Sequence, residues 1–86
     1  MNKKPFLLHI SLEDKILFCK NLSLLLKSGI TLTESLNILK ENIKSKTLKY
    51  ILSIAIENVQ RGQYLANAFS KFENVFGGFF IEIIRI

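Results

Sequence analysis

The chain has 86 residues, 49% of them hydrophobic, and its twelve Lys and Arg against seven Asp and Glu residues give a formal charge of +5. This length allows one domain with one modest core, and so many apolar side chains exclude an intrinsically disordered chain. The positive charge is typical of proteins that meet an acidic partner, a nucleic acid or the cytoplasmic face of a membrane.

Residues 1–10 read as a basic, partly extended lead-in to a domain that we place at residues 11–86. The short apolar run in the lead-in is followed by no small-residue cleavage site, so we do not expect a signal peptide. Charged residues interrupt every apolar run before it reaches about 18 residues, so we expect no membrane span. The single cysteine, Cys19, excludes an internal disulfide and favours a reducing compartment.

The first predicted helix runs from about Leu12 to Ser28. Ser11 followed by Asp14 resembles the capping box that starts helices, and Gly29 suits the left-handed conformation that ends them. The predicted core stripe of this helix is Leu12, Ile16, Cys19, Leu22 and Leu26, widened by Phe18 and Leu25. Leu17 and Leu24 lie on the shoulder of the polar face, where a lone helix hairpin need not bury them.

Two more helices follow in quick succession. Thr31 with Glu34 predicts a second helix to about Lys44, and either Ser45 or Thr47 caps a third helix that ends near Arg61. The second helix buries Leu32, Leu36, Leu39 and Ile43, and the third buries Leu48, Ile51, Leu52, Ala55 and Val59. The third helix also carries Tyr50, Ile54 and Ile56 elsewhere on its circumference, which is typical of a helix with neighbours on several sides.

The last third of the chain predicts two further helices. Gly62 ends the third helix, a fourth runs from Leu65 to about Lys71, and Gly77-Gly78 breaks the chain before an apolar segment. That segment, 79–86, is interpreted as helix, because no second strand-like run exists for it to pair with. The fold class is therefore all-α, an antiparallel bundle of about five helices. Its apolar end has nothing after it in the chain to cover it, which indicates a partner surface.

The sequence offers little for a nucleophile paired with a histidine base. His9 and Cys19 are the only histidine and thiol, and Cys19 lies on a predicted buried stripe, where a structural role is the simpler interpretation. Glu13 and Asp14 stand at a helix N-terminus, where the helix dipole favours carboxylates without any catalytic role. A cation bridging such carboxylates between chains stays open, although their spacing is not that of an EF-hand. We predict no enzyme and no cofactor.

A basic cluster surrounds the turn between the second and third helices and keeps a second function open. It consists of Lys40, Lys44, Lys46 and Lys49. A helix-turn-helix DNA-binding domain would place basic groups similarly. However, the third helix is rich in Ile and Leu and offers few polar side chains for base edges, so a solvated basic corner is the simpler interpretation.

Three motifs together resemble the type II secretion system F domain, which is carried by inner-membrane platform proteins of secretion, type IV pilus and DNA-uptake (competence) machines. The first motif is matched by Phe18, Lys20, Leu22, Leu25-Leu26, Gly29 and Leu32, the second by Gly62, Leu65 and Ala68, and the third by Val75, Phe76, Ile84 and Arg85. Thr31 stands where the family often has proline, and Gly77-Gly78 replaces a frequent Pro-Pro. The sequence ends one residue before the family's Gly-Glu, so the resemblance implies a bundle that lacks its last helix.

The resemblance implies an N-terminal cytoplasmic repeat of a platform protein whose membrane helices lie outside this chain. It further implies contacts with the assembly ATPase, with other platform proteins and with a second copy, as a homodimer, but none directly with nucleic acid. We predict two sets of contact residues on this basis and from the apolar and basic patterns. The protein interface comprises Leu17, Leu24, Phe79, Phe80, Ile83 and Ile84. The electrostatic surface, which attracts acidic proteins or lipid headgroups, comprises Lys20, Lys27, Lys40, Lys44, Lys46 and Lys49.

Overall fold

Five helices follow one another within residues 9–77, the part of the chain that the computed structural model describes. They are α1 (Leu12–Lys27), α2 (Leu32–Asn42), α3 (Lys46–Gln60), α4 (Leu65–Ser70) and α5 (Glu73–Phe76). The predicted all-α bundle is confirmed. The single-turn helix α5 was not predicted, and the helix predicted over 79–86 lies outside the described residues.

Each of the three longer helices begins at a hydroxyl side chain. Ser11, Thr31 and Ser45 accept a hydrogen bond from the backbone N–H three residues further on, in each case at 3.1 Å. Such a cap satisfies one of the N–H groups that have no partner within the first turn of a helix. Of the two candidates for α3, Ser45 is therefore the cap.

Glycines end α1 and α3 in the same way. Gly29 and Gly62 have φ values of +88° and +89°, the left-handed region that glycine enters at little cost. The next N–H reaches back in each case, from Ile30 to the carbonyl of Leu25 at 3.2 Å and from Gln63 to that of Asn58 at 3.0 Å. This is the Schellman motif, which satisfies the last carbonyls of a helix while reversing the chain direction.

Helix α3 lies at the centre of the bundle, as its apolar circumference predicted, because it packs against both α2 and α4. Its buried apolar residues are Leu48, Ile51, Leu52, Ala55 and Ile56. Two residues that precede α1 also pack against the bundle, one of them at the start of α3. Ile10, predicted in the lead-in, is buried in the core, and the His9 N–H donates to Thr47 Oγ1 at 3.5 Å.

Phenylalanine rings connect α1 with α4 and α5. The ring of Phe69 in α4 lies 5.7 Å from that of Phe18 in α1 and 4.5 Å from that of Phe76 in α5, centroid to centroid. The second pair is nearly parallel, at 7°. Aromatic pairs at these separations attract each other beyond the effect of burial alone. Phe69 thus holds α1, α4 and α5 together.

The predicted core stripe of α1 is wrong at its first two positions. Leu12 and Ile16 are exposed, with 70% and 58% of their surfaces accessible, whereas Phe18 and Leu22 are buried. Since α1 is apolar around most of its circumference, its pattern does not fix which arc faces inward. The contact of the large Phe18 ring with Phe69 selects the arc that includes Phe18 and Leu22, and this turns Leu12 and Ile16 towards solvent.

Candidate functional site

The apolar pair on α1, predicted to be spared from burial, is exposed in the structure. Leu17 and Leu24 have 55% and 54% of their surfaces accessible, and the exposed Leu12 and Ile16 join them. At about 100° of rotation per residue, these four side chains fall within about 140° of the helix circumference. We call this arc the α1 outer face. It was only half predicted, because the sequence placed Leu12 and Ile16 in the core.

Two lysines stand within the α1 outer face. Lys20 and Lys27 are exposed and lie on the same arc as the four apolar residues. A surface that combines large apolar side chains with flanking cations is typical of an interaction site, because soluble proteins rarely leave such apolar groups together without a partner.

A groove lies between α1 and the corner where α2 passes into α3. We call it the corner groove, and its volume is about 230 Å³. Its lining residues are Asp14, Leu17, Phe18, Asn21, Leu39, Asn42, Ile43, Lys44 and Leu48. The groove brings together Leu17 and Lys44, which belong to the two separately predicted sets. Leu24 is not among its lining residues.

The corner beside the groove is strongly basic. Four lysines and a single carboxylate, that of Glu41, occur between positions 40 and 49. Lys44, Lys46 and Lys49 are exposed, and Lys40 is partly buried. Within residues 9–77 none of these ammonium groups forms an ion pair. The first turn of α3 contains no acidic residue, so the positive end of that helix dipole adds to the lysine charges.

The remaining predicted interface residues cannot be located from the structure. Phe79, Phe80, Ile83 and Ile84 lie outside the described residues, and their role stays a prediction. Tyr64, at the start of α4, is a large exposed side chain that the sequence did not single out, with 68% of its surface accessible. A residue between two helices follows neither helical pattern, so no sequence signal marked it.

Cys19 and His9 share no hydrogen bond among the described residues, so they form no reactive pair there. The Cys19 side chain is partly buried against the core, and burial raises the pKa of its thiol above the ordinary value. A raised thiol pKa leaves less thiolate at neutral pH and lowers nucleophilicity. The described part of the chain also contains no group of three or more His, Cys, Asp or Glu residues that could hold a metal ion.

A comparison with family models decides what kind of chain this is. Residues 18–86 match the model for type II secretion system (T2SS), protein F. The chain belongs to this family. The match begins at Phe18, the first residue of the first motif that indicated the resemblance, and it continues through α2, α3, α4 and α5.

The protein F family supplies platform domains of secretion and pilus systems, and it is a family of non-enzymatic, inner-membrane secretion components. No curated protein and no solved structure matches this protein F domain. Within residues 9–77, none of its helices is both long enough and apolar enough to cross a bilayer.

Proposed function

We propose that this domain is a non-enzymatic docking module on the cytoplasmic face of the bacterial inner membrane. It belongs to a platform protein of a type II secretion, type IV pilus or DNA-uptake machine, whose membrane helices lie outside this chain. It docks the assembly ATPase and other platform components, and it pairs with a second copy of itself. The observation that carries this proposal is the α1 outer face, an apolar surface on a member of a platform family.

The dimensions of the α1 outer face indicate how it is used. A helix of 16 residues is about 24 Å long and about 10 Å wide, so one face offers roughly 240 Å². A stable interface buries about 800 Å² on each partner. The α1 outer face is therefore the centre of a larger contact. Phe79, Phe80, Ile83 and Ile84 are our candidates for a further part of it, because they are apolar and follow the bundle in the chain.

The lysines have a different role in this proposal. Lys20 and Lys27 lie among the apolar residues of the α1 outer face, and the other four surround the α2–α3 corner. Exposed charges contribute little to affinity, but they accelerate the encounter with an oppositely charged surface. The formal charge of +5 also suits a position near anionic lipid headgroups.

The structure gives little support to a DNA-binding domain, the alternative that the basic corner suggested. A recognition helix must enter the major groove with several polar side chains exposed. Helix α3 instead lies between α2 and α4, and eight of its fifteen residues are buried. Its exposed cations, Lys46 and Lys49, are both in the first turn.

The double substitution Leu17→Asp with Leu24→Asp tests the proposed function. Both side chains are exposed, so we expect helicity to be unchanged, while two carboxylates disfavour burial of the α1 outer face against a partner. We expect self-association, measured by sedimentation velocity, and binding of the assembly ATPase, measured by pull-down, to fall at least about tenfold, which is about 1.4 kcal/mol.

The matched control adds the same two charges elsewhere. Asn37→Asp with Asn67→Asp changes exposed positions on α2 and α4, away from the α1 outer face. It should leave both readouts unchanged. Sedimentation and pull-down results for the leucine variant that equal those of this control would overturn the proposal.

A further inference from the structure

The corner groove suits a large apolar side chain from a partner. Its walls include the apolar residues Leu17, Phe18, Leu39, Ile43 and Leu48. Its volume of about 230 Å³ exceeds the roughly 150 Å³ of a cavity that accommodates benzene in another protein. The groove therefore has room for the volume of a phenyl ring.

The charges around the groove are unequally distributed. Lys44 lines it on the side of the α2–α3 corner, with Lys40, Lys46 and Lys49 close along the chain. Asp14 lines it on the side of α1. An occupant with carboxylates on one flank is therefore attracted by the corner and repelled by Asp14, so this arrangement selects both the charge of the occupant and its orientation.

We propose that the corner groove docks an acidic amphipathic helix of a partner protein, with its apolar face against Leu17 and Ile43 and its carboxylates over Lys44. This inference rests on the proposed function and names the chemistry of one partner. Docking of an amphipathic helix by its apolar face into a hydrophobic groove is a common mode of peptide recognition. A recessed, concave apolar surface fits a helix better than it fits the flat surface of a bilayer.

Asn21 and Asn42 add polar groups to the lining of the groove. Both are polar residues that line the groove, and the Asn42 amide nitrogen donates to the Ile38 carbonyl at 2.8 Å. That bond leaves the side-chain oxygen of Asn42 with acceptor capacity. A few polar groups beside an apolar floor give a docking site its specificity for orientation.

The test uses the 86-residue chain and two labelled peptides of roughly 12 residues, long enough for about three helical turns. One peptide contains three repeats of Glu-Leu-Leu-Glu, and the other contains three repeats of Lys-Leu-Leu-Lys. We expect the acidic peptide to bind more tightly by fluorescence anisotropy at low salt. We also expect it to shift the backbone amide resonances of Leu17, Leu39 and Lys44.

Substitutions then test the sign of each charge. Lys44→Glu should weaken binding of the acidic peptide about five- to tenfold, and Asp14→Asn should tighten it about two- to fivefold, as for exposed charge pairs. Lys71→Glu changes an exposed lysine outside the groove. It should change the affinity for the acidic peptide by less than about twofold, since distant charges are screened.

Equal affinity for the two peptides would overturn the inference, and so would equal effects of Lys44→Glu and Lys71→Glu. Vesicles of phosphatidylglycerol in phosphatidylcholine provide the membrane alternative. If they shift the groove resonances and displace the acidic peptide, the groove binds lipid and the inference is wrong. A separate outcome is that Lys44→Glu leaves the peptide affinity unchanged while the Leu17 and Leu24 double variant still weakens platform association. That result would overturn the docking of a helix in the corner groove but would leave the proposed function standing.

Discussion

The hydroxyl of Ser35 is fully buried in α2 and has no hydrogen-bond partner within residues 9–77, an arrangement that costs free energy. Ser45 carries the same group at the start of α3, where it accepts the N–H of Leu48 at 3.1 Å. A buried polar group without a partner costs about 1–3 kcal/mol, whereas loss of a helix cap costs about 1 kcal/mol. One chemical change should therefore have opposite effects at these two positions.

We expect Ser35→Ala to raise the free energy of unfolding by about 1 kcal/mol, because it removes the unpaired hydroxyl. Ser45→Ala should lower it by a similar amount, about 1 kcal/mol, because it removes the cap of α3. Urea denaturation followed by circular dichroism measures both. A destabilised Ser35→Ala variant would show that the hydroxyl has a partner in the folded protein.

At the scale of the elements, the glycine that follows α1 fixes the first reversal of the chain. Gly29 has a φ of +88°, and a Cβ atom built there meets no other atom within 4 Å. Substitution by alanine is thus a test of backbone conformation alone. We expect Gly29→Ala to lower the free energy of unfolding by about 1–2 kcal/mol, the cost of placing a Cβ in the left-handed region.

Gly29→Asn is the control for this prediction, because asparagine enters the left-handed region more easily than alanine does. Thermal unfolding should rank the proteins as native sequence, then asparagine, then alanine. If alanine were tolerated as well as asparagine, the Schellman ending of α1 would contribute little to the reversal.

Helix boundaries were predictable because their signals are local. Ser11, Thr31 and Gly29 each specify a hydrogen bond or a backbone conformation within a few residues of the sequence. Helix α5 has only four residues, too few for a hydrophobic period to appear, and it was missed. The inward arc of α1 depends on the position of Phe69 in α4, which the sequence of α1 does not contain.

At the scale of the whole molecule, the family was also predictable, since motifs that begin at Phe18, Gly62 and Val75 lie in order along a single stretch of chain. The corner groove was not, because its walls come from α1, α2 and the start of α3. Leu17 and Lys44 were each predicted as contact residues, but only the packing of α1 beside the α2–α3 corner brings them to one site.

Phe69 has the most widely shared contacts of the rings described above, since it packs with Phe18 and Phe76 and is fully buried. We expect Phe69→Ala to lower the free energy of unfolding by about 3–5 kcal/mol, a large part of the 5–15 kcal/mol typical of a domain. Phe69→Leu keeps most of the buried volume and should cost clearly less. Calorimetry measures the free energy of unfolding of both variants. If alanine and leucine lowered it equally, the volume filled by the Phe69 ring would not be important for stability.

The edge-on contact of Tyr50 with Phe72, at 6.0 Å and 84°, gives the protein a built-in optical reporter. The sequence contains no tryptophan and only two tyrosines, and the other, Tyr64, is exposed. In a Tyr64→Phe background, all tyrosine emission and the tyrosine part of the near-ultraviolet ellipticity would therefore arise from the junction between α3 and the residues that follow α4. Loosening of that junction could then be followed optically without attaching a dye.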